Sequence, residues 1–381
     1  ALPVLADADT TDRAEILREY FLEKANEVEV TDTSVIFTDA VSETPLEIAK
    51  NPQKPAVLYG SFVTLWYEAG GKADGVRIVD IHNGGDLALC VAADRCMDIP
   101  EVRYRGRVLN YITPNGIVHP SYYSCYGEGW SEAFAGGLLY TCGLSNTGLR
   151  ESLDWESQKE HGCIANNPAE QFSAEIEETA DGPAAVLRGV MREGMLAGVD
   201  LRLTRTIRVE YLRNVIEVTD TVRNDGYRTA PHMVLYHCNL GYPLLQPDSR
   251  LRIPNQGVRP RTPFAKTMLP ELDTILPPQD AMEEMCYYYT PAPDEDGWEH
   301  VRLENRRERL GLTLSFDAST LGHFVQWKNF VKGEYVMGLE PANCTIDGRS
   351  DAIARGQMQV LEPGQSRTYR LRFCFDDAQE D

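Results

Sequence analysis

Apolar and polar residues alternate along much of the chain. The run Val199-Asp200-Leu201-Arg202-Leu203 alternates at every position, and so does the run Ile207-Arg208-Val209-Glu210. A period of two places successive side chains on opposite faces of a sheet, so both runs predict strands with one buried face. Similar β-rich runs recur from about residue 60 onwards, at 76–82, 87–93, 186–192, 215–222, 232–238, 310–316, 323–327, 335–339, 357–361 and 368–375.

Short turn signals separate these runs. They include Asn83-Gly84-Gly85, Asn224-Asp225-Gly226 and Pro363-Gly364. Almost no helix-period segment lies between the strands, which disfavours a parallel sheet with helical crossovers. The lack of a repeat of fixed period counts against a propeller. The pattern therefore predicts an all-β fold, a large antiparallel sandwich, in one domain over residues 56–381.

The first 55 residues have a different pattern. Apolar residues at 16, 17, 20 and 21 fall on one face of a helix, and Thr10 or Thr11 can serve as its N-cap. A loose stretch with prolines at 45, 52 and 55 follows. We therefore expect residues 1–55 to form a short N-terminal helical arm laid over the larger body.

The charge of the chain limits its partners. Its 37 Lys+Arg and 58 Asp+Glu residues give a net charge of −21, which repels phosphate backbones and anionic membrane surfaces. No stretch approaches the roughly 20 apolar residues that a membrane helix needs. We therefore expect no nucleic-acid partner and no membrane partner, and a neutral small molecule as the substrate.

The cysteines indicate a reducing compartment. There are nine, and no two of them form a C-x-x-C pair. An odd number without paired spacing is typical of free thiols rather than of a disulfide framework. The first residues have neither a basic flank nor an apolar core, so they do not resemble an intact signal peptide. The sequence therefore favours a cytoplasmic protein.

The motifs of zinc proteases, P-loop enzymes, α/β-hydrolases and dinucleotide-binding proteins are missing, which leaves polar residues within apolar strands as candidates. His237 lies in the apolar run that starts at Met233; a buried imidazole either satisfies a structural need or faces a cavity. Glu340 follows another apolar run and precedes Pro341, which is expected to stop the strand. An exposed carboxylate at a strand end is the alternative interpretation of Glu340.

Three further candidates have weaker patterns. Asp94 and Arg95 directly follow the run 87–93, and the alternative to a site is a surface salt bridge. His161 lies in the loop Glu160-His161-Gly162 and has little signal of its own. We expect His232, five positions before His237 and so on the opposite face of a regular strand, to be structural.

Taken together, the candidates belong to six segments, at 94–99, 136–144, 161–162, 231–245, 327–328 and 338–341. The run YHCNLGYPLL at 236–245 is specific, and the short run LEP at 339–341 lies near the C-terminus. With these segments the sequence resembles the galactose-mutarotase-like (aldose 1-epimerase) superfamily. It is most similar to the bacterial branch that includes deoxyribose-mutarotase-like proteins. The resemblance implies a β-supersandwich with its site on a concave sheet face.

The resemblance also implies roles for individual residues. Glu340 would be the general base that takes the proton of the anomeric hydroxyl, and His237 the general acid that protonates the ring oxygen. The ring would open, rotate about C1–C2 and reclose as the other anomer. His161 resembles the second histidine of the site, and Arg95 the substrate-binding arginine. Such chemistry needs one group to remove a proton while another delivers one.

Four more residues within or beside the matching segments are candidates for substrate binding. Asp94 lies next to Arg95, and Asn239 lies two positions after His237. Trp327 ends a predicted strand and Lys328 directly follows it. A Trp ring offers an apolar face for a sugar, although a core Trp with an exposed Lys fits the sequence equally well. The resemblance implies no metal and no organic cofactor.

The sequence departs from the family pattern at two places. Cys238 alone separates His237 from Asn239, where better-known members have a longer aromatic segment. His161 stands in a Glu-His-Gly-Cys loop rather than a Leu-His-Gly-Gly one. No residue matches the substrate-binding aspartate of the family, so the sugar stays unassigned.

Other functions remain open at this point. The same acid and base could serve another isomerase, epimerase or lyase, including a metal-assisted one, because a fold does not determine its chemistry. A non-catalytic sugar-binding protein is the third hypothesis, although a binder does not need a matched acid and base. The sequence also leaves the oligomeric state open, with a homodimer as one option.

Overall fold

The structure, a computed structural model, describes residues 25–30, 34–39, 45–49, 63–153, 156–179 and 182–379. Most elements within these ranges are strands. In chain order the first thirteen are β1 (Ala25–Val30), β2 (Ser34–Asp39), β3 (Pro45–Ala49), β4 (Val63–Tyr67), β5 (Arg77–His82), β6 (Leu87–Ala92), β7 (Asp98–Tyr104), β8 (Arg107–Val108), β9 (Tyr140–Leu144), β10 (Ser152–Leu153), β11 (Glu156–Ser157), β12 (Glu170–Thr179) and β13 (Gly182–Gly194).

The later strands continue this pattern with few helical turns between them. They are β14 (Asp200–Glu210), β15 (Val215–Asn224), β16 (Ala230–Pro231), β17 (Met233–Leu240), β18 (Arg250–Arg252), β19 (Asn255–Pro260), β20 (Met285–Pro291), β21 (Trp298–Asn305), β22 (Leu310–Asp317), β23 (His323–Asn329), β24 (Val336–Ala342), β25 (Val360–Leu361) and β26 (Ser366–Asp376). The α-helices within the described ranges are α1 (Gly129–Ala133), α2 (Pro263–Thr267) and α3 (Arg349–Ala354). No helix in these ranges is long and apolar enough to cross a membrane.

Three larger sheets organise the strands. The first has eight strands in the order β12-β13-β14-β15-β26-β22-β21-β18, the second six in the order β19-β20-β23-β24-β17-β9, and the third five in the order β4-β5-β6-β7-β8. Neighbouring strands in these sheets run antiparallel. The prediction of an all-β, antiparallel sandwich is therefore confirmed.

The alternating run that predicted a strand lies in β14. Leu201, Leu203, Ile207 and Val209 are buried together with Arg205, while the residues that alternate with them are more exposed. These side chains join one large core cluster that also contains side chains from the five-stranded and six-stranded sheets. The alternation therefore marks the face of β14 that packs between the sheets.

The N-terminal region differs in part from its expected form. The expected helix at 11–22 lies outside the described residues. Where the sequence suggested a loose stretch, β1, β2 and β3 form an antiparallel three-stranded sheet, and the backbone of β3 approaches that of β12. The alternation in SVIFTD, the sequence of β2, is the signal that could have indicated a strand.

A buried arginine links the sheets at the centre of the core. The Arg205 side chain, on β14, is inaccessible to solvent. Its Nε and Nη2 donate to the two carboxylate oxygens of Asp220 at 2.8 and 2.7 Å. Its Nη1 donates to Asp98 at 2.8 Å and to the carbonyl of Cys96 at 3.0 Å. Both carboxylates are buried, so Arg205 supplies the charge that makes their burial tolerable.

The same network reaches the six-stranded sheet. Arg205 Nη2 donates to Thr141 Oγ1 on β9, at 2.8 Å. The Tyr236 hydroxyl on β17 donates to Asp220, also at 2.8 Å. Thr141 and Tyr236 are opposite each other in the β9–β17 pairing. The network therefore fixes the position of β17 relative to the eight-stranded sheet.

We expect Arg205→Met to destabilise the protein strongly. The substitution keeps most of the volume but leaves two buried carboxylates without a counter-charge, which costs about 3–5 kcal/mol of unfolding free energy. Urea denaturation followed by circular dichroism measures this change. Arg202→Met is the matched control because Arg202 lies on the same strand and pairs with Asp225 at 2.9 Å near the surface. That loss should stay below about 1 kcal/mol, and equal losses for the two variants would contradict the role of Arg205.

Candidate active site

His237 and Glu340 come together on two inner strands of the six-stranded sheet. They lie on the adjacent strands β17 and β24, where Leu235 pairs with Ala342 and Cys238 with Leu339. This register places His237 opposite Glu340. Nε2 of His237 is 3.3 Å from Oε1 of Glu340, and both side chains are buried.

Pro341 does not end its strand, contrary to the expectation from sequence. β24 continues to Ala342, and Pro341 pairs with Phe324 on β23. The ladder to β17 is instead interrupted between the Leu235 and Cys238 pairs, opposite Glu340 and Pro341. Proline has no N–H to donate, so the proline is accommodated where this ladder opens.

The two faces of β17 have different surroundings. Val234, Tyr236 and Cys238 belong to the main core, whereas Leu235 belongs to a smaller cluster on the other face. His237 shares that second face because side chains alternate along a strand. A cavity of about 630 Å³ opens there, with His237 and Glu340 in its wall.

Burial favours the neutral form of both His237 and Glu340 by shifting their pKa values in opposite directions. Burial, followed by the nearby His161, lowers the pKa of His237 to about 3, against a weaker opposing effect of the Asn239 side chain. Burial and then the charge of Glu284 raise the pKa of Glu340 well above its usual range, while Arg261 acts in the opposite direction. These shifts mean that a proton shared by the pair resides on Glu340 rather than on His237 when no ligand contacts them.

Both members of the pair have unused hydrogen-bonding atoms. Nδ1 of His237 is buried without a hydrogen-bond partner among the described residues, and Oε1 of Glu340 has the 3.3 Å contact with Nε2 of His237 but no hydrogen bond within these residues. Buried polar atoms are usually satisfied, so both atoms can accept a partner that enters the cavity. The pair is therefore arranged to receive polar atoms from the cavity.

His161 lines the same cavity, as the resemblance implies. Its ring stacks on Trp130 with centroids 4.6 Å apart, and lies 6.2 Å from the ring of His237. Its Nδ1 has no hydrogen-bond partner in the described part of the chain. Burial and then the charge of Arg261 lower the pKa of His161 to about 4. His161 is thus a neutral hydrogen-bonding group beside the pair.

Trp327 also lines the cavity. Its Nε1 donates to Oε2 of Glu284 at 2.8 Å, and its ring meets the His237 ring edge-on at 5.4 Å. The indole is therefore held in one orientation next to the acid/base pair. Asn239 is buried behind the pair and donates to the carbonyls of Gly137 and His237, so its amide group supports β17 rather than lining the cavity.

Arg95 and Asp94 lie outside this cavity, which corrects their expected role in substrate binding. Arg95 is buried, and its guanidinium donates to the carbonyls of Ala165, Val118 and Ala133. Asp94 pairs with Arg77, through contacts of 2.9 and 2.7 Å, and not with Arg95. Their hydrogen bonds go to the protein itself, so both residues are structural.

Lys328 is corrected in the same way. Trp327 faces the cavity, so its neighbour Lys328 points to the opposite face of β23. There its Nζ donates to the carbonyls of Leu272 and Thr274. Burial lowers the pKa of Lys328 to about 8. Lys328 anchors the loop before β20 and does not reach the cavity.

The structure adds cavity residues that sequence reasoning missed. Glu284 directly precedes the apolar strand β20, a position that resembles that of Glu340 at the end of its apolar run and could have been noticed. Trp130 and Phe134 come from the short helix α1 and the residue after it. Arg261 follows β19 and has no sequence signal. Among the described residues, no group of three or more His, Cys, Asp or Glu side chains is arranged to hold a metal ion.

Comparison with solved structures shows the fold. A protein from Klebsiella pneumoniae proposed to be an aldose 1-epimerase aligns with a TM-score of 0.79 at 24% identity, covering 83% of this chain and 84% of that one. A galactose mutarotase-like protein from Clostridium acetobutylicum aligns with a TM-score of 0.55 at 12% identity, covering 83% and 99%. A galactose 1-epimerase from Lactobacillus acidophilus aligns with a TM-score of 0.52 at 11% identity, covering 83% and 99%.

Comparison of the sequence gives a family without an assigned function. No curated protein matches the chain. Residues 73–374 match the family described as a domain of unknown function, DUF4432. The match spans most of the 381 residues, and the chain therefore belongs to the DUF4432 family, with the fold of galactose mutarotase-like proteins.

Proposed function

We propose that the protein is an aldose 1-epimerase that interconverts the anomers of a free, uncharged sugar. The observation that carries the proposal is the buried pair His237 and Glu340, 3.3 Å apart in the wall of the cavity. Mutarotation needs one group that accepts a proton and one that donates a proton at the same ring. The solved structures that share the fold include proteins named for this activity.

The catalytic cycle begins with the transfer of the shared proton. A hydrogen bond from the anomeric hydroxyl favours the ionised form of Glu340, and a hydrogen bond to the ring oxygen favours protonated His237. Sugar binding therefore moves the proton from Glu340 to His237. Glu340 is then the base and His237 the acid.

Ring opening follows from this charge distribution. Glu340 takes the proton of the anomeric hydroxyl, and a C=O bond forms at C1 as the bond between C1 and the ring oxygen breaks. The electron pair of that bond goes to the ring oxygen, which receives the proton of His237. After rotation about C1–C2 the same steps run in reverse with exchanged roles, and the pair ends with the proton it began with.

The cavity favours an uncharged sugar. Glu160, Glu284 and Glu334 line it together with the pair, and the whole chain carries a charge of −21. Carboxylates that face a small cavity repel phosphorylated and acidic sugars. The Trp327 ring supplies an apolar surface against which a sugar ring can pack. The resemblance to the deoxyribose-mutarotase-like branch makes deoxy sugars part of any test panel.

Glu340→Gln and His237→Asn should each abolish anomer interconversion while leaving the fold intact. Each substitution removes one of the two groups that transfer a proton, either the base or the acid. A general acid or base typically contributes about 10²- to 10⁴-fold in rate. Polarimetry and saturation-transfer NMR on freshly dissolved hexoses, pentoses and deoxy sugars measure the exchange. His300→Asn is the matched control, since His300 lies on β21 and is bonded to Asp294 and Ser315.

The result for the unmodified protein decides between the candidate activities. If no sugar equilibrates faster than its uncatalysed rate, the mutarotase proposal fails. Conversion of a sugar into a different sugar, or loss of water from it, would instead identify an isomerase, epimerase or lyase that uses the same pair. Binding without any conversion would identify a sugar-binding protein.

The acid limb of the kcat/KM profile should lie near pH 3 rather than near the usual glutamate pKa. An ordinary solvent-exposed Glu–His pair takes up its second proton at the glutamate pKa of about 4.3, so its activity falls below that pH. Here burial lowers the pKa of His237 to about 3 and raises that of Glu340, so the second proton binds only near pH 3 and the singly protonated pair persists below the usual glutamate pKa. Polarimetry between neutral pH and the pKa of His237, with circular dichroism as a fold control, tests this. An acid limb at the usual glutamate pKa would contradict it.

A further inference from the structure

Arg261 brings a guanidinium into the cavity that contains His237, Glu340 and His161. The residue directly follows β19, and its backbone N–H donates to the carbonyl of Cys286 at 2.9 Å. About 20% of its side chain remains exposed. The proposed mechanism gives this cation no role, although its charge affects two groups of the site.

One edge of the Arg261 side chain is fixed by Asp347. Nε of Arg261 donates to Oδ1 of Asp347 at 3.2 Å, and the Tyr288 hydroxyl donates to the same oxygen at 2.7 Å. Nη2 of Arg259 donates to Oδ2 at 3.3 Å. Burial alone raises the pKa of Asp347, but these three donors outweigh it and hold the pKa below its usual range. Asp347 therefore stays ionised and keeps Arg261 in place.

The other edge of Arg261 is unused. Within the described ranges, no protein atom accepts a hydrogen bond from its Nη1 or Nη2. Arg95 differs, because all three of its guanidinium nitrogens donate to backbone carbonyls. Of the two arginines, only Arg261 lines the cavity, and it does so with both Nη atoms unused by the described residues.

Arg261 also lies far enough from His237 and Glu340 for a sugar ring to fit between them. The sheet order β19-β20-β23-β24 separates it from Glu340 by three strand spacings, which amounts to about 14 Å along the sheet. An extended arginine side chain covers part of that distance, and a sugar ring can span the rest. Its charge still reaches the pair, since it lowers the pKa of Glu340 against the effect of burial.

Resting on the proposed function, we infer that Arg261 is the arginine that holds the sugar, in place of Arg95. Its Nη1 and Nη2 donate to two neighbouring hydroxyl oxygens on the side of the ring remote from the anomeric carbon. A planar fork with two parallel donors suits a pair of adjacent oxygens. Asp347 neutralises the guanidinium and Glu160 and Glu284 line the cavity, so the pair of oxygens belongs to a diol rather than to an acidic group.

Arg261→Met tests this assignment through sugar affinity. We expect KM to rise about 10- to 100-fold, the range for losing hydrogen bonds to a charged donor, while kcat changes much less. Arg261→Lys keeps the charge without the fork and should give a smaller rise. Arg192→Met is the matched control, because Arg192 makes a comparable two-point contact with Asp200 on the surface and should leave KM unchanged.

A deoxy substrate locates the contact on the sugar. The 3-deoxy and 4-deoxy analogues of the best sugar each lack one of the two hydroxyls, so Arg261→Met should cost less affinity with each of them than with the parent sugar. Thermal melting of each variant controls for folding, and Arg261→Lys serves if Arg261→Met does not fold. Equal losses with the parent sugar and both analogues would contradict the diol contact.

The outcomes separate this inference from the proposed function. If the unmodified protein equilibrates a sugar and Arg261→Met has the KM of Arg192→Met, the role of Arg261 is overturned and the mutarotase proposal stands. If no sugar is converted, the mutarotase proposal fails, and sugar binding by NMR decides the role of Arg261 alone. Weaker binding by Arg261→Met then supports the assignment; equal binding, or no binding by the unmodified protein, overturns it.

Discussion

The salt-bridge network of Arg205 is the interaction on which the arrangement of the sheets depends. A charged side chain with no solvent access is tolerable only when its donors are used, and Arg205 uses them on Asp220, Asp98, Thr141 and the Cys96 carbonyl. These partners come from different sheets. The network therefore specifies how the sheets stack, and through Tyr236 it fixes the strand that carries His237.

Much of the fold was predictable because strands with one buried face have a period-2 pattern. The run at Val199–Leu203 shows this, since Leu201 and Leu203 are buried where the alternation places them. Local patterns also identified His237 and Glu340, as polar residues within apolar strands. What the pattern could not show was their pairing, because strand register depends on contacts distant in sequence. The interruption opposite Pro341 is a similar case: proline was expected to end a strand, whereas the neighbouring ladder adapted to it.

Three residues that were predicted to bind the substrate lie outside the cavity for a common reason. Arg95, Asp94 and Lys328 carry the charges expected of a binding site. In a strand-rich fold, however, a charged side chain can also hydrogen-bond to backbone carbonyls or form an ion pair within the protein. Whether a charged side chain makes such contacts or faces a cavity depends on the path of the loops around it. No local sequence pattern indicates that path. Arg261 shows the converse, since its role depends on Asp347, 86 residues further along the chain.

Buried ionisable groups have different hydrogen-bonding surroundings in the core and at the cavity. In the core, each carboxylate around Arg205 meets donors, so desolvation is offset by hydrogen bonds within the protein. At the cavity, His237 and Glu340 are equally buried, but within the described part of the chain each keeps an atom without a hydrogen bond. The cost of desolvation there appears as shifted pKa values, which favour the neutral form of both groups. A sugar that supplies the missing hydrogen bonds would stabilise the charged forms and so start proton transfer. The incomplete hydrogen bonding of this pair thus lies in the wall of the cavity, where a substrate can complete it.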